Sequence, residues 1–274
     1  MSETTVIAPS YQTRERRSAF VRAARDTAAV AQRNLIALRR VPQAIVFTAI
    51  QPVIFVLLWR YVFGGAITVL PPGFSSYVQF LIPGIFVQTA VFGSMGAAIG
   101  LATDLKSGLL ERFRSLPMAR SAVLSGRTVA DVVRNVFVVT LMAIVAFLVG
   151  FRIGTDVLGF LAGILLLLAF GYALSWAFAS IGLWVADPET AQAAAFPFLA
   201  ILVFASSVFV PVTSMPSWLQ GYAKYQPVSV TASAVRGLMV GGPTAEWVIR
   251  SLIWIVLIIA VCAPLAVWRY RKTA

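Results

Sequence analysis

Six long apolar stretches constrain this chain more than any other feature. They lie at about 42–62, 79–101, 128–150, 158–184, 193–212 and 247–268. Crossing a hydrocarbon core takes roughly 20 helical residues. The stretches therefore predict an all-α membrane protein with six transmembrane helices. Composition agrees, with 59% of residues hydrophobic, 12% charged, and a mean hydropathy of +0.87. Soluble domains are usually about 45–50% apolar and about 25% charged.

The formal net charge is +12, and its distribution matters more than its size. Eight arginines precede the first stretch: Arg14, Arg16, Arg17, Arg22, Arg25, Arg33, Arg39 and Arg40. Lys106, Arg112, Arg114, Arg120 and Arg127 lie between the second and third, and Arg269, Arg271 and Lys272 end the chain. The other face has Arg60, Arg152, Lys224, Arg236 and Arg250. Basic loops stay on the cytoplasmic side, so both termini are expected in the cytoplasm. No basic domain stands apart from the spans, which argues against nucleic acid as a partner. Membrane lipid headgroups are the expected contacts for these charges.

Catalytic chemistry is hard to place on this chain. There is no histidine, the commonest general base and metal ligand. The single cysteine, Cys262, sits in an apolar run and cannot form an internal disulfide. Lys106, Lys224 and Lys272 all lie outside the spans, which disfavours a serine–lysine hydrolase. No G-x-x-x-x-G-K-[ST] phosphate cradle is present, and no Cys/His constellation fits zinc. No catalytic residue, metal or cofactor is expected on this chain, and no cleavable signal peptide is visible.

Residues 1–17 read as a polar, mobile N-terminus ahead of a single membrane domain over 18–274. In 18–40, Phe20, Ala24, Ala28, Ala31, Leu35 and Leu38 recur at helical spacing, while Arg22, Arg25, Asp26 and Arg33 fall opposite. A basic amphipathic helix beside a span lies in the membrane interface. Pro52, Pro83 and Pro197 interrupt apolar stretches and can kink them. Gly96 and Gly100 form a G-x-x-x-G pair that would let another helix approach. Asp131 and Arg134 are three residues apart at the start of the third span and can face each other. About one turn into lipid, Arg134 can snorkel outward, so anchoring is a simpler reading than substrate contact. The segment from Val210 to Trp247 is external yet rich in apolar and aromatic residues, including Trp218, Tyr222 and Tyr225. Such a segment is expected to form short helices dipping into the outer leaflet.

The loop from Asp104 to Met118 is the most informative. Leu109, Phe113 and Leu116 share one helical face, with Glu111, Arg112 and Arg114 around it, and Pro117 ends the helix. An apolar stripe of this kind asks for a groove on a partner. The run Glu111-Arg-Phe-Arg-Ser-Leu-Pro-Met118, with Arg120-Ser121 and Leu124-Ser-Gly-Arg127, resembles the cytoplasmic loop of type-2 ABC exporter permeases. Within them it is most similar to the actinobacterial daunorubicin/doxorubicin-resistance branch. Leu81-Ile-Pro-Gly84, Phe209-Val-Pro-Val212, Gln226-Pro-Val228, Arg236-Gly-Leu238 and Gly241-Gly-Pro243 fit the same branch, in order.

That resemblance implies two paired permease subunits, identical or paralogous, with two copies of a separate ATPase subunit that hold ATP and Mg. It makes 104–115 a coupling helix, with Leu109, Glu111, Arg112, Phe113, Arg114 and Leu116 meeting the ATPase. It makes 18–40 an interfacial elbow and places a re-entrant pair of half-helices within about 213–245, before the last helix. The substrate, a hydrophobic or amphipathic drug, polyketide or lipid, would pass between paired subunits along spans one, two and five. Thr48, Gln51, Gln88, Thr89, Ser206 and Ser207 are the polar residues expected to face that route, or else to make helix–helix hydrogen bonds. The competing readings are an ATP-independent carrier and a non-transporting scaffold. A proton-coupled carrier would carry mid-span acidic residues, and none is present.

Overall fold

Two polar residues, Ser76 and Asp187, set where two of the apolar helices begin. The computed structural model describes residues 32, 42–65, 70, 73–108, 120–185 and 187–273, without the side chains of 42–49, 120–131 and 271–273. Among the described residues every regular element is helical. In chain order these are α1 (Pro42–Leu57), continuing into a π-helical turn at Leu58–Val62, α2 (Tyr77–Lys106), α3 (Arg120–Leu148), α4 (Val157–Val185) and α5 (Pro188–Phe204). A short 3-10 turn at Val212–Ser214 leads to α6 (Ser217–Tyr225), α7 (Pro227–Met239) and α8 (Ala245–Thr273).

The Ser76 side chain accepts from the Gln79 N–H, and the Gln79 carboxamide reaches back to the Ser75 hydroxyl at 2.8 Å. This reciprocal arrangement satisfies donors that the first turn of α2 leaves open. Asp187 does the same for α5, accepting from the Thr190 N–H at 3.1 Å ahead of Pro188. Tyr77–Lys106, Val157–Val185 and Ala245–Tyr270 are long and apolar enough to cross a membrane by length and composition. Ile50–Val62, Val132–Leu148 and Pro188–Phe204 are shorter apolar helices.

α2 is the hub: 72% of its most apolar window is buried, against 17% for α8. It packs on α4, α5, α7 and α3. Lipid tails are as apolar as leucine, so close packing and hydrogen bonds must hold a central membrane helix. Both are present. A Cβ on Gly182 of α4 would run into the Ala98 carbonyl, so the two helices touch backbone to backbone there. Ser94 donates to the carbonyls of Ala90 at 2.7 Å and Gly171 at 3.0 Å. The close approach is thus centred on Ala98 and not on Gly96, whose neighbour is a guanidinium. α8 instead leaves Ile249, Ile253, Val256, Leu257 and Val261 exposed along one face. Only lipid or another subunit suits such a surface.

The two ends of the bundle differ. At one end Lys106 meets Asp187 at 2.7 Å, joining the end of α2 to the start of α5, and Arg269 lies over the Trp184 ring at 4.5 Å. The Lys106 ammonium holds the Asp187 carboxyl down at about 2, helped by its hydrogen bonds to Thr190. At the other end α7 is wedged among α2, α4 and α8. Gln226 donates from Nε2 to the Leu202 carbonyl at 2.9 Å, and Thr231 meets Ser251 at 2.9 Å. α6 stays outside this wedge, with Trp218, Tyr222 and Tyr225 exposed.

Candidate functional site

A cavity of about 360 Å³ lies where α1, α2 and α3 meet at mid-depth. α1 contributes Gln51 and Pro52, α2 contributes Gln88, Thr89, Phe92 and Met95, and α3 contributes Arg134 and Asn135. Glycines make the room. A Cβ on Gly93 would overlap the Asn135 carboxamide, and one on Gly96 would stand 2.6 Å from Arg134 Nη2. Arg134 therefore turns inward and donates from Nη2 to the Gly93 carbonyl at 2.6 Å. Gly93 is 13 residues before Lys106, about 20 Å along a helix. The guanidinium thus points into the bundle beside the middle of α2.

Gln88 carries the strongest chemical signal. It is 2% exposed, it lines the cavity, and its Oε1 has no hydrogen-bond partner among the described residues. Leaving a buried acceptor unsatisfied costs about 1–3 kcal/mol. Thr89, beside it, returns its hydroxyl to the Ile85 carbonyl at 2.8 Å. Gln51 is exposed on α1, so the cavity has a polar mouth on the outer face of the bundle. The lining pairs amides and a guanidinium with Phe92, Met95 and Ile99. It holds no nucleophile–base pair, and no cluster of metal-ligating side chains occurs among the described residues. Such a wall can bind and pass an amphipathic molecule, but it has no groups to transform one.

Of the residues expected to face a substrate route, Gln51, Gln88 and Thr89 come together here. Thr48 lies on α1, but its side chain is outside the described residues. Ser206 and Ser207 lie at the far end of α5. The Ser206 hydroxyl donates to the Val203 carbonyl and accepts from the Val208 N–H at 3.2 Å. Ser207 accepts from Arg236 Nη1 at 3.3 Å. Phe20, Arg22, Arg25, Arg33, Leu109, Glu111, Arg112, Phe113, Arg114 and Leu116 lie outside the described residues. Sequence reasoning missed Asn135 and gave Arg134 mainly an anchoring role. The available signal was a polar pair in span three opposite a pair of glycines in span two.

A family model described as ABC-2 type transporter matches residues 25–240. Over 269 residues the chain is 34% identical to the daunorubicin resistance ABC transporter permease protein DrrB1 of Streptomyces coeruleorubidus, covering 96% of this chain and 94% of that relative. Over 224 residues it is 30% identical to the probable doxorubicin resistance ABC transporter permease protein DrrC of Mycobacterium tuberculosis, covering 81% and 80%. The doxorubicin resistance permease DrrB of the same organism is 27% identical over 184 residues, covering 67% and 63%. Permeases of this kind work with ATPase subunits. The chain thus belongs to the ABC-2 type transporter family, as a multi-pass membrane permease subunit of an ABC exporter that has no ATPase domain of its own.

Proposed function

We propose that this permease moves a hydrophobic or amphipathic solute (a drug, polyketide or lipid) out of the cytoplasm through the cavity between α1, α2 and α3. The observation that carries the reading is the buried Gln88 Oε1, without a partner among the described residues, in a cavity whose mouth is Gln51. A solute hydroxyl or amine would satisfy that acceptor, while Phe92 and Met95 cover its apolar part. The names of the relatives tie them to daunorubicin and doxorubicin resistance, which supports a drug-sized amphiphile.

Six helices span the membrane in this reading, with both termini in the cytoplasm. The arginine-rich ends support that orientation. α6 and α7 are then the re-entrant pair on the outside. Two permease subunits, identical or paralogous, combine with two ATPase subunits that hold Mg and ATP. The coupling helix is the part of segment 104–115 beyond the end of α2 at Lys106, since 104–106 belong to α2, and 18–40 is the interfacial elbow. Nucleotide binding draws the ATPases together, the coupling helices follow as levers, and the bundles rock between access states. Such a cycle requires nucleotide to favour one state over the other.

Co-expression of the chain with its ATPase in membranes, followed by solute-stimulated ATP hydrolysis, tests this. Wild-type protein should show stimulation by amphipathic drugs, and Gln88→Leu should lose most of it while still assembling. Equal stimulation in both would remove the cavity from the route.

A further inference from the structure

A second cavity, about 400 Å³, opens at the end of the bundle where α2 and α8 begin and α5 stops. Its wall includes Phe80, Ser207, Ser233, Arg236 and Trp247. Gly241 and Gly242 form one rim, both at φ +110°, a conformation that glycine adopts readily. A Cβ on Gly242 would meet nothing within 4 Å, so this rim is open.

Arg236 is only 4% exposed. Its Nε donates to the Phe80 carbonyl at 2.8 Å, and its Nη2 donates to the carbonyls of Ser207 at 2.7 Å and Val208 at 3.0 Å. Nη1 reaches the Ser207 hydroxyl at 3.3 Å, and the guanidinium carbon lies 3.7 Å from the centre of the Phe80 ring. A guanidinium has five N–H donors, so one Nη1 hydrogen is left over. Every acceptor is neutral, and among the described residues no carboxylate pairs with Arg236. The Ser233 hydroxyl, on the same wall, makes no hydrogen bond among the described residues.

A buried cation that lacks a counter-charge is poorly stabilised by neutral dipoles alone. A phosphate oxygen is the strongest complement to a guanidinium. The cavity lies at an end of the apolar helices, the same end of the bundle that carries α6 with its exposed Trp218, Tyr222 and Tyr225, side chains that suit a membrane interface. We propose that it binds the phosphate headgroup of an anionic amphiphile, with Arg236 as counter-charge, Ser233 as a second donor and the acyl part running down the bundle surface. The amphiphile comes either from the bilayer or from the solute stream.

The test uses the purified full chain in neutral detergent and the fluorescence of Trp247, isolated by subtracting the signal of Trp247→Phe. Brominated phosphatidylglycerol and brominated phosphatidylcholine are the quenching probes, and decyl phosphate is the competitor. Arg236→Met removes ties to two segments, at Phe80 and at Ser207–Val208, and is expected to misfold. Ser233→Leu fills the cavity without breaking a hydrogen bond, so it carries the test. If a bilayer lipid is the ligand, phosphatidylglycerol quenches at about tenfold lower concentration than phosphatidylcholine, and Ser233→Leu abolishes that preference at unchanged thermal midpoint. If a free amphiphile is the ligand, the two lipids quench alike, while decyl phosphate raises the thermal midpoint of wild type and not of Ser233→Leu. Equal quenching by the two lipids together with no shift of the midpoint by decyl phosphate, or a preference or shift that survives in Ser233→Leu, overturns the proposal. No ATPase or transport enters the assay, so its outcome is independent of the exporter reading.

Discussion

Arg134 donates from Nη2 to the backbone carbonyl of Gly93 at 2.6 Å, joining α3 to the middle of α2 across a cavity. Two glycines of α2 make room for the α3 side chains here. Gly93 leaves space for Asn135, and Gly96 leaves space for the guanidinium itself. Gly96→Leu should force Arg134 out of this position. Overpacking of this kind costs about 1–3 kcal/mol, so the variant should insert and assemble with a lower thermal midpoint. Its solute-stimulated ATP hydrolysis should fall about tenfold or more, because the leucine occupies the cavity. Wild-type stimulation by Gly96→Leu would show that the cavity is not used.

Gln88 should trade stability for function. Its Oε1 is buried without a partner among the described residues. Gln88→Leu removes an acceptor whose unsatisfied burial costs about 1–3 kcal/mol. The variant should therefore melt a few degrees higher than wild type in detergent. It should also need a higher solute concentration for half-maximal stimulation. A lower midpoint would mean that Gln88 is a packing residue.

How far the sequence reveals this arrangement depends on the residue. The apolar stretches are long enough that helices were the sole outcome lipid allows, and a helix runs through each of them, although the fifth stops at Phe204, short of the expected 212. The buried position of α7 was not legible. Ser229, Thr231 and Arg236 look like surface residues in a linear reading. They are buried because each finds a partner across helices, Ser229 at the Ser207 N–H and Thr231 at Ser251. Ser206 and Ser207 suited either a path or hydrogen bonds between helices; just past the end of α5, Ser206 bonds to Val203 and Val208 and Ser207 holds Arg236. Composition cannot separate those uses. The depth of Arg134 depends on the register of α3 against Gly93 and Gly96, which one strand of sequence does not state.

The Lys106–Asp187 pair gives a pH signature. Lys106 and the Thr190 hydrogen bonds lower the Asp187 carboxyl to about 2. A depressed carboxylate contributes stability above its unfolded range, near 4, and loses it as pH falls through its folded value. Wild type should exceed Asp187→Asn in thermal midpoint by a constant margin from pH 8 to about pH 5. That margin should shrink between about pH 4 and pH 2. The pair is exposed to solvent, so it should also shrink with added salt. A margin that grew on acidification would contradict the pairing.

Orientation can be read by labelling single cysteines on a Cys262→Ala background, since Cys262 is the one native cysteine. Ser75 and Ser107 are exposed at opposite ends of α2. A membrane-impermeant maleimide added to intact cells should label Ser75→Cys and spare Ser107→Cys. The reverse pattern would invert the topology.

Phe113→Ala and Arg114→Glu test the lever assignment. Each should insert normally, and each should weaken copurification with the ATPase or separate ATP hydrolysis from solute movement. Truncating a hot-spot anchor costs about 2 kcal/mol or more at an interface, and Phe113 is the one large aromatic of the loop. Normal transport by both variants would count against the loop.

Solute flux in reconstituted vesicles tests the exporter account most directly. Vesicles holding this chain and its ATPase partner should accumulate a fluorescent amphiphile only when Mg and ATP are supplied on the ATPase side, and Gly96→Leu should abolish the accumulation. Accumulation of the same amphiphile by vesicles holding the chain alone, with no nucleotide hydrolysed, would contradict the account.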